Sequence, residues 1–205
     1  MCGRFSQTKS KQDIKKRFNV NKVSDQIVPL FNIAPDSYVP VILNESPDEV
    51  SVARWGLLPS WAKEEKTKYS MINARCETIL EKPAYQRLIK KRRCLVIADS
   101  FYEWKKSDGK KIPYQIMLKN NDLFAFAGLW DVWEKEGKKI TSCTIITTIP
   151  NKLMQSIHDR MPVILNPHDE PKWLAEEKMD AALALLQPFP EMGMQCYPIA
   201  NIKTY

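Results

Sequence analysis

Cysteine stands second in this chain, directly after a methionine, in the run Met1-Cys2-Gly3-Arg4. Methionine aminopeptidases remove a first methionine when the next residue is small, so we expect the mature chain to begin at Cys2. Its α-amine would have a reference pKa of about 7.7–8.0, and its thiol one of about 8.5. With an aldehyde, the amine forms an imine and the thiol then closes a five-membered thiazolidine ring. No internal cysteine can do this, because its nitrogen lies in a peptide bond.

Glu103 is the most informative internal residue, because it lies between Tyr102 and Trp104 in a predicted strand. Its carboxylate is either on the solvent face or partly buried. Burial would raise the pKa of a glutamate and suit it to proton transfer. Both readings stay open from the local sequence.

His158 is one of only two histidines and has Asp159 and Arg160 beside it. A histidine side chain titrates near neutral pH, which makes His158 a candidate general acid or base, although single histidines are often structural. A nucleophile pair of Cys2 with His158 is a further hypothesis that spacing alone does not establish.

Two stretches place polar and aromatic groups in unusual patterns. Asn73, Arg75 and Glu77 alternate, so in an extended segment they would share one face. Trp55 and Trp61 bracket a glycine and a proline, which fits neither a regular strand nor a helix. The two tryptophans either cap the edge of the core or form a platform for a flat ligand.

The composition favours an anionic partner and argues against several other classes of protein. Lys and Arg outnumber Asp and Glu by 31 to 24, giving a net charge of +7, which favours nucleic acid. No apolar run has transmembrane or signal-peptide length, so we expect a cytoplasmic protein without a membrane partner. The cysteines form no C-x-x-C pair, so we expect neither a disulfide framework nor a metal site. The five cysteines are Cys2, Cys76, Cys94, Cys143 and Cys196.

The hydrophobic patterns predict one α+β domain over residues 1–205, with mostly antiparallel sheet. A capping box at Ser10 predicts a helix over residues 10–18, and Pro83 predicts the start of a helix over Lys82–Arg93. Cys94 and Cys143 lie in apolar runs and are predicted to be buried. The predicted strands are Val39–Leu43, Val50–Trp55, Cys94–Ala98, Phe101–Lys105, Tyr114–Leu118, Leu123–Trp130, Ser142–Thr148, Val163–Leu165 and a last one within Cys196–Tyr205.

Loops, turns and a further helix are predicted between these strands. The stretch over residues 31–37 is predicted to be an irregular loop, and tight turns are predicted at Asp108-Gly109 and Glu136-Gly137. A helix is predicted over Pro171–Glu177.

Six stretches, in order and spread over nearly the whole chain, closely resemble the SOS-response-associated peptidase (SRAP) family of abasic-site processing proteins. The resemblance implies an α+β fold with barrel-like, mostly antiparallel sheets, short flanking helices and a basic groove for single-stranded DNA. The six stretches are Met1-Cys2-Gly3-Arg4-Phe5, Asn32-Ile33-Ala34-Pro35, Trp55-Gly56-Leu57-Leu58-Pro59-Ser60-Trp61, Asn73-Ala74-Arg75-Cys76-Glu77-Thr78, Phe101-Tyr102-Glu103-Trp104-Lys105 and Ile157-His158-Asp159-Arg160-Met161-Pro162.

The resemblance also implies a function in the DNA damage response. Once Met1 is removed, the N-terminal cysteine captures the ring-opened aldehyde of an abasic site as a stable thiazolidine cross-link. Lyase-type activity accompanies this reaction, and the peptidase in the family name is taken here as removal of Met1 at most. The implied catalytic residues are Cys2, Asn73, Glu103 and His158. The implied DNA-binding residues are Arg4, Asn32, Pro35, Trp61, Arg75 and Arg160.

The resemblance names single-stranded DNA with abasic sites as the partner, and we expect no cofactor, a monomer, and association with the nucleoid when DNA is bound. Two alternatives remain. An N-terminal-nucleophile amidohydrolase would use the Cys2 amine as a base and would turn over small amides without DNA. A non-catalytic single-stranded DNA-binding module would bind intact and abasic DNA equally well and would not need Cys2.

Overall fold

The computed structural model describes residues 2–65, 71–107, 109–175 and 179–202. Strands dominate these ranges, and the helices are short. The strands are β1 (Arg4–Gln7), β2 (Lys22–Val23), β3 (Leu30–Ile33), β4 (Tyr38–Leu43), β5 (Glu49–Trp55), β6 (Asn73–Arg75), β7 (Arg93–Ala98), β8 (Ser100–Ser107), β9 (Lys110–Leu118), β10 (Phe124–Lys135), β11 (Lys138–Thr148), β12 (Met161–Pro162) and β13 (Met194–Pro198). The helices are α1 (Lys11–Phe18), α2 (Pro83–Gln86), α3 (Leu88–Lys91), α4 (Lys152–Gln155), α5 (Glu170–Leu174) and α6 (Met179–Ala184).

Five strands close into a barrel, in the order β4, β5, β11, β10 and β7, and β7 pairs again with β4. Four of the five pairings are antiparallel. The fifth joins β11 and β5 in parallel, with Ser142 opposite Arg54 and Cys143 opposite Trp55. This parallel pairing removes the free edges that the antiparallel hairpins would otherwise leave.

Three short strands extend the barrel sheet. One of them, β6, pairs in parallel with β11 and places Asn73 opposite Ile145 and Arg75 opposite Thr147. Strand β12 also pairs with β11, at Thr147 and Thr148. The end of β11 therefore holds both β6, which carries Asn73, and β12, which follows His158 in the chain.

A second sheet has the strand order β13, β9, β8, β1 and β3, and all of its pairings are antiparallel. It packs on the barrel through aromatic side chains. The Phe5 ring makes edge-on contacts with Trp55 and Phe126, with centroid distances of 4.9 and 5.7 Å. Strand β1, which follows Cys2, is therefore fixed in the second sheet against the barrel.

The predicted α+β fold with barrel-like, mostly antiparallel sheets is confirmed. Helix α1 begins at the predicted capping box, in which Ser10 and Asp13 each accept from the other's backbone N–H, and it buries Ile14. Cys94 and Cys143 are fully buried, as predicted.

The single helix predicted over Lys82–Arg93 is wrong, because the chain forms α2 and α3 there and Arg93 already pairs with Leu129 in the β7 ladder. The predicted strand at Val163–Leu165 is reduced to one bridge, between Ile164 and Phe126. In contrast, the first three residues of the irregular loop predicted over 31–37 belong to β3.

Parts of some predicted elements lie outside the described residues. These are Asp108 of the predicted turn at Asp108-Gly109, the end of the helix predicted over Pro171–Glu177, and residues 203–205 of the predicted last strand. Within the described part of the chain, no helix is long and apolar enough to span a membrane.

Candidate active site

Strand pairing places Cys2 beside Glu103. In the β1–β8 ladder Arg4 lies opposite Tyr102, and continuing this register by one residue sets Gly3 opposite Glu103. Cys2 is fully buried, and its Sγ donates to the Arg4 carbonyl oxygen over 3.8 Å. Met1, whose removal the sequence predicts, lies outside the described residues.

Burial sets the protonation of the Cys2 thiol. It raises the pKa of Cys2 well above its usual range, and the negative charge of Glu103 raises it further. Glu103 is itself only 3% exposed, so its carboxylate faces the interior and not solvent. The thiol is therefore neutral at physiological pH, and its proton has to move when sulfur forms a bond.

Asn73 reaches the same place from the barrel. Its Nδ2 donates to the Cys2 carbonyl oxygen over 2.9 Å. Its Oδ1 is buried and accepts no hydrogen bond from any part of the chain that the structure describes. Buried polar atoms are nearly always paired, so this oxygen is an acceptor available to a bound substrate.

His158 completes the group from the loop after α4. Its Nδ1 lies 3.0 Å from the Arg160 backbone nitrogen and 2.9 Å from Asp159 Oδ1. The first contact requires an unprotonated Nδ1, and the second favours a protonated one. We favour the first, because the backbone N–H is fixed in place whereas the Asp159 side chain is largely exposed. The proton of a neutral His158 then lies on Nε2, which is 4.0 Å from Glu103 Oε2.

Arg160, predicted to contact DNA, lies in an ion pair with Glu77. Its two terminal nitrogens lie 2.6 and 2.9 Å from the Glu77 carboxylate oxygens, and one of them also donates to the Thr147 carbonyl oxygen over 2.8 Å. These hydrogen bonds raise the pKa of Arg160 and lower the pKa of Glu77. The arginine ties the His158 loop to the segment after β6, and its side chain is only 11% exposed.

The prediction that Asn73, Arg75 and Glu77 share one strand face is wrong for Glu77. Strand β6 ends at Arg75, and Cys76–Thr78 form a 3-10 turn. Sequence reasoning missed the pairing of Glu77 with Arg160, for which the opposite charges were the only signal. The two residues lie 83 positions apart, so spacing gave no reason to join them.

The two tryptophans have different positions. Trp55 is buried in the core, whereas Trp61 is 67% exposed. The segment around Trp61 is nevertheless fixed, because Ser60 N donates to Asp131 Oδ2 and Trp133 Nε1 donates to the Ala62 carbonyl oxygen, both over 2.8 Å. An exposed ring on a fixed segment is a preorganised stacking surface.

A cavity of about 400 Å³ is lined by both Trp61 and Asn73, the residue whose amide contacts Cys2. It is lined in part by Asn73 and by Arg75, which is exposed. Its volume is in the range of about 300–1,000 Å³ that is common for ligand sites. The remaining lining residues are Met71, Thr78, Lys82, Pro83, Ala84 and Tyr85. Of these, Lys82 and Tyr85 were not singled out by sequence reasoning.

A larger cavity, of about 560 Å³, is lined by Phe18, Leu95 and Leu174 among others and contains none of the predicted site residues. We place the site beside the smaller cavity, because predicted site residues line it and one of them, Asn73, contacts Cys2. Within the described ranges, no three side chains of His, Cys, Asp or Glu are grouped so as to hold a metal ion.

The other predicted DNA contacts lie on the second sheet. Arg4 is half-buried on β1, and Asn32 is on the neighbouring edge strand β3. Asn32 Oδ1 is buried and makes no hydrogen bond within the residues described. Pro35 lies in the turn after β3, next to Asp36, whose N–H donates to the Trp55 carbonyl oxygen over 2.8 Å. Pro35 thus lies close to the start of the segment that carries Trp61.

Known proteins are similar to this chain over nearly its whole length. The family model for SOS response associated peptidase (SRAP) matches residues 1–202. The abasic site processing protein YoqW of Bacillus subtilis (strain 168) is 45% identical, with 98% of this chain and 93% of YoqW covered. The abasic site processing protein HMCES of Xenopus tropicalis is 34% identical, with 98% of this chain and 74% of HMCES covered.

Solved structures share the fold. A crystal structure of a Bacteroides thetaiotaomicron protein matches with a TM-score of 0.90 and 32% identity, covering 98% of this chain and 93% of that one. A Bordetella bronchiseptica protein matches with a TM-score of 0.87 at 24% identity, covering 98% of this chain and 100% of that one, which shows the fold alone. The sequence motifs, the family match and the shared fold agree, and this chain belongs to the SOS response associated peptidase (SRAP) family.

Proposed function

We propose that this protein processes abasic sites by binding single-stranded DNA and forming a covalent cross-link through Cys2 to the ring-opened sugar. The relatives named abasic site processing proteins support the substrate. The observation that carries the chemistry is the convergence of Glu103, Asn73 and His158 on a buried cysteine at position 2. Removal of Met1 by hydrolysis of one peptide bond frees the amine, and we assign no wider peptidase activity.

The proposed reaction releases one water. The Cys2 amine attacks the aldehyde carbon, and the resulting carbinolamine loses water to give an imine. The thiol then adds across the carbon–nitrogen double bond, so that sulfur bonds to carbon and the thiol proton ends on nitrogen. The product is a thiazolidine whose mass is that of protein plus DNA less water.

The raised pKa of the Cys2 thiol supports this order of steps. A neutral thiol is a weak nucleophile compared with its thiolate. The amine therefore reacts first, and the thiol adds intramolecularly to an imine held next to it. Holding two groups in place in this way greatly increases the rate of their reaction.

Glu103 and His158 supply proton transfer in this proposal. Glu103 accepts a proton from the attacking amine and returns it to the departing water. His158, with Nε2 directed towards Glu103, donates to the sugar ring oxygen or accepts from the hydroxyl during ring opening. Asn73 holds the Cys2 carbonyl through Nδ2, and its free Oδ1 orients the reacting sugar.

The surface around this group supports binding of a single strand. Trp61 and Arg75 line the cavity beside Asn73, an exposed aromatic ring next to a cation. Single-strand binding proteins combine stacking surfaces and basic grooves in this way. Arg4, Asn32, Pro35 and Arg160 remain proposed contributors, and Arg160 acts from within its ion pair with Glu77.

Intact mass spectrometry tests the proposal. Protein that begins at Cys2 is mixed with single-stranded DNA containing one abasic site, with a version that retains Met1 as the control. We expect an adduct at the combined mass less water only when Met1 is absent. Strand cleavage without an adduct would indicate a lyase, and binding without either would indicate a plain DNA-binding module. Turnover of small amides without DNA would indicate an amidohydrolase.

A further inference from the structure

The strand that carries Glu103 continues outward as a basic hairpin. β8 and β9 remain paired to their ends, with Lys106 opposite Lys111 and Ser107 opposite Lys110. Residues 105–111 contain four lysines and one aspartate. The hairpin therefore carries a concentrated positive charge within a few residues of a buried catalytic candidate.

One face of this hairpin is continuous with the reaction site. Residues directly opposite each other in an antiparallel pair share a face, and alternate residues along a strand do so too. Glu103 lies opposite Tyr114, and the next pair on the same face is Lys105 with Ile112. Along β8, Lys105 lies about 7 Å beyond Glu103. Lys110, on β9, lies opposite Ser107, which is about 14 Å beyond Glu103.

Cys196 lies on the same face of the second sheet as Lys105. It pairs with Ile116, which lies opposite Phe101 on the Glu103 face. Burial raises the pKa of the Cys196 thiol, and the positive charge of Lys105 opposes that increase. This electrostatic effect is consistent with the face that strand alternation assigns to Lys105.

The lysines of this hairpin are not neutralised by the rest of the protein as far as it is described. No carboxylate among the described residues lies within 4.0 Å of Lys105, Lys106, Lys110 or Lys111, whereas Lys11, Lys22 and Lys138 all have such partners. On the Glu103 face, Lys105 and Lys110 are diagonal neighbours across the strand pair, close enough for their like charges to repel each other. Binding of an anion to this face would relieve that repulsion.

We propose that the lysine face, made of Lys105, Lys110, Ile112 and Tyr114, binds the phosphates of the DNA strand on one flank of the abasic site. The inference rests on the proposed function and extends its substrate. Cys2 lies between Asn73 on the barrel and Glu103 on the second sheet. The Trp61 cavity is on the barrel side and the lysine face is on the other, so a strand that crosses Cys2 meets one on each flank.

This arrangement predicts that the two sides of the lesion are bound by different residues. Nucleotides added on one side of the lesion gain affinity from the lysine face, and nucleotides added on the other side gain it from Trp61 and Arg75. Each phosphate contact on a single strand contributes about 0.7 to the slope of log affinity against log salt. Two lysines therefore contribute about 1.4 to that slope.

The test uses single strands with a tetrahydrofuran abasic analogue, which cannot open to an aldehyde, extended by several nucleotides on the 5′ side only or the 3′ side only. Affinities are measured over a range of salt for the wild type, for Lys105→Ala/Lys110→Ala, and for Lys106→Ala/Lys111→Ala. The last double variant loses the same charge from the opposite face of the same hairpin. Thermal melts verify that both double variants are folded.

We expect Lys105→Ala/Lys110→Ala to lower the salt slope by about 1.4 for DNA extended on one side and to leave the other extension unchanged. The control should change both extensions equally and by less, and Arg75→Ala should act on the opposite extension. Equal effects of the two double variants, or no effect of either, would contradict the proposal that the lysine face binds phosphates on one flank.

Because the analogue does not react, these binding results do not depend on the cross-link. If the lysine variants affect one extension only but no adduct forms with a true abasic site, the proposed chemistry is wrong and the lysine face still binds DNA. If an adduct forms but the salt slope is unchanged in the Lys105→Ala/Lys110→Ala variant, the chemistry stands and the lysine face does not bind the phosphates.

Discussion

The interior and the rim of this site are built in different ways. Cys2 and Glu103 are 0% and 3% exposed. Glu103 is on β8 and Cys2 lies two residues before the paired strand β1, so the β1–β8 register holds them close together. Trp61 is 67% exposed and lies between two neighbours, Ser60 and Ala62, that are held by hydrogen bonds. In the proposed function, reaction and affinity therefore belong to separate groups of residues. Changes in the interior should alter the chemistry, and changes at the rim should alter binding and its salt dependence.

The largest expected effect is at the cysteine itself. Cys2→Ser keeps an N-terminal amine once Met1 is removed but loses the thiol, so the imine forms and is not trapped. We expect the heat-stable adduct to disappear and β-elimination to cleave the strand instead. Denaturing gels and intact mass measure both products. A heat-stable adduct formed by Cys2→Ser would contradict the proposal that the cross-link is a thiazolidine. It would also contradict the proposal that the buried residues carry out the reaction.

Glu103→Gln should have the next largest effect. It keeps the shape of the side chain and removes the proton acceptor, so we expect the single-turnover rate of cross-linking to fall by about 10² or more. Affinity for analogue-containing DNA should change much less. Glu134→Gln, at an exposed position on β10, is the charge-matched control. A loss of affinity as large as the loss of rate would show that the interior also determines binding.

Trp61→Ala should act mainly on affinity. Loss of stacking on one base costs about 1–3 kcal/mol of binding free energy, which raises the dissociation constant about 5- to 150-fold. Fluorescence anisotropy of labelled single strands measures it, and Trp61→Phe should recover part of the loss. A rate at saturating DNA that falls more than the affinity would place Trp61 with the interior group.

Asp131→Asn should have a smaller effect, through the segment that carries Trp61. Buried Asp131 accepts from Ser60 N over 2.8 Å and lies 3.6 and 3.7 Å from Arg87 and Arg92. Weakening this cluster should lower the free energy of unfolding by about 1–3 kcal/mol. Hydrogen exchange at the Ser60 amide should become faster. Unchanged exchange there would mean that other contacts hold Trp61 in place.

The smallest expected effect concerns pH and the barrel interior. Burial raises the pKa of Cys143 to about 12, above the value of 9.0 for a free thiol. Above pH 9 this thiol ionises in the unfolded chain but not in the folded protein, so a rise in pH favours unfolding. Below pH 9 the thiol is neutral in both states and pH has no effect through it. The free energy of unfolding should fall by about 1 kcal/mol per pH unit for this thiol between pH 9 and its folded pKa.

Urea unfolding of the wild type and Cys143→Ala at several pH values measures this slope, which should be shallower in the variant. Cys196→Ala, at a half-buried site, should change the slope less. Equal slopes in all three proteins would show that the buried thiol does not couple folding to pH.

Local sequence patterns were sufficient where one turn or one strand decides the outcome. The capping box at Ser10 predicted the start of α1, and Glu136-Gly137 predicted a tight turn, where both residues have positive φ angles of 52° and 78°. Burial of Cys94 and Cys143 followed from their apolar neighbours. The single domain over residues 1–205 and the roles of the individual site residues remain predictions.

Long-range pairing was beyond local patterns. Nothing near Ser142 indicates that β11 pairs in parallel with β5 and closes the barrel, since the partner Arg54 is far away in the chain. The helix predicted over Lys82–Arg93 was wrong for the same reason, because the β7 ladder draws Arg93 out of it.

The order of amino acids specifies which chemical groups are present: an N-terminal cysteine once Met1 is removed, a carboxylate among aromatic residues, one histidine next to acid and base, and an excess of cations. Which of these groups meet was set by the fold. It buried Glu103 beside Cys2, brought Asn73 to both from the barrel, paired Arg160 with Glu77, and left Trp61 exposed while Trp55 entered the core. The physical reason is that burial and proximity arise from the packing of two sheets, which depends on contacts between residues far apart in the chain.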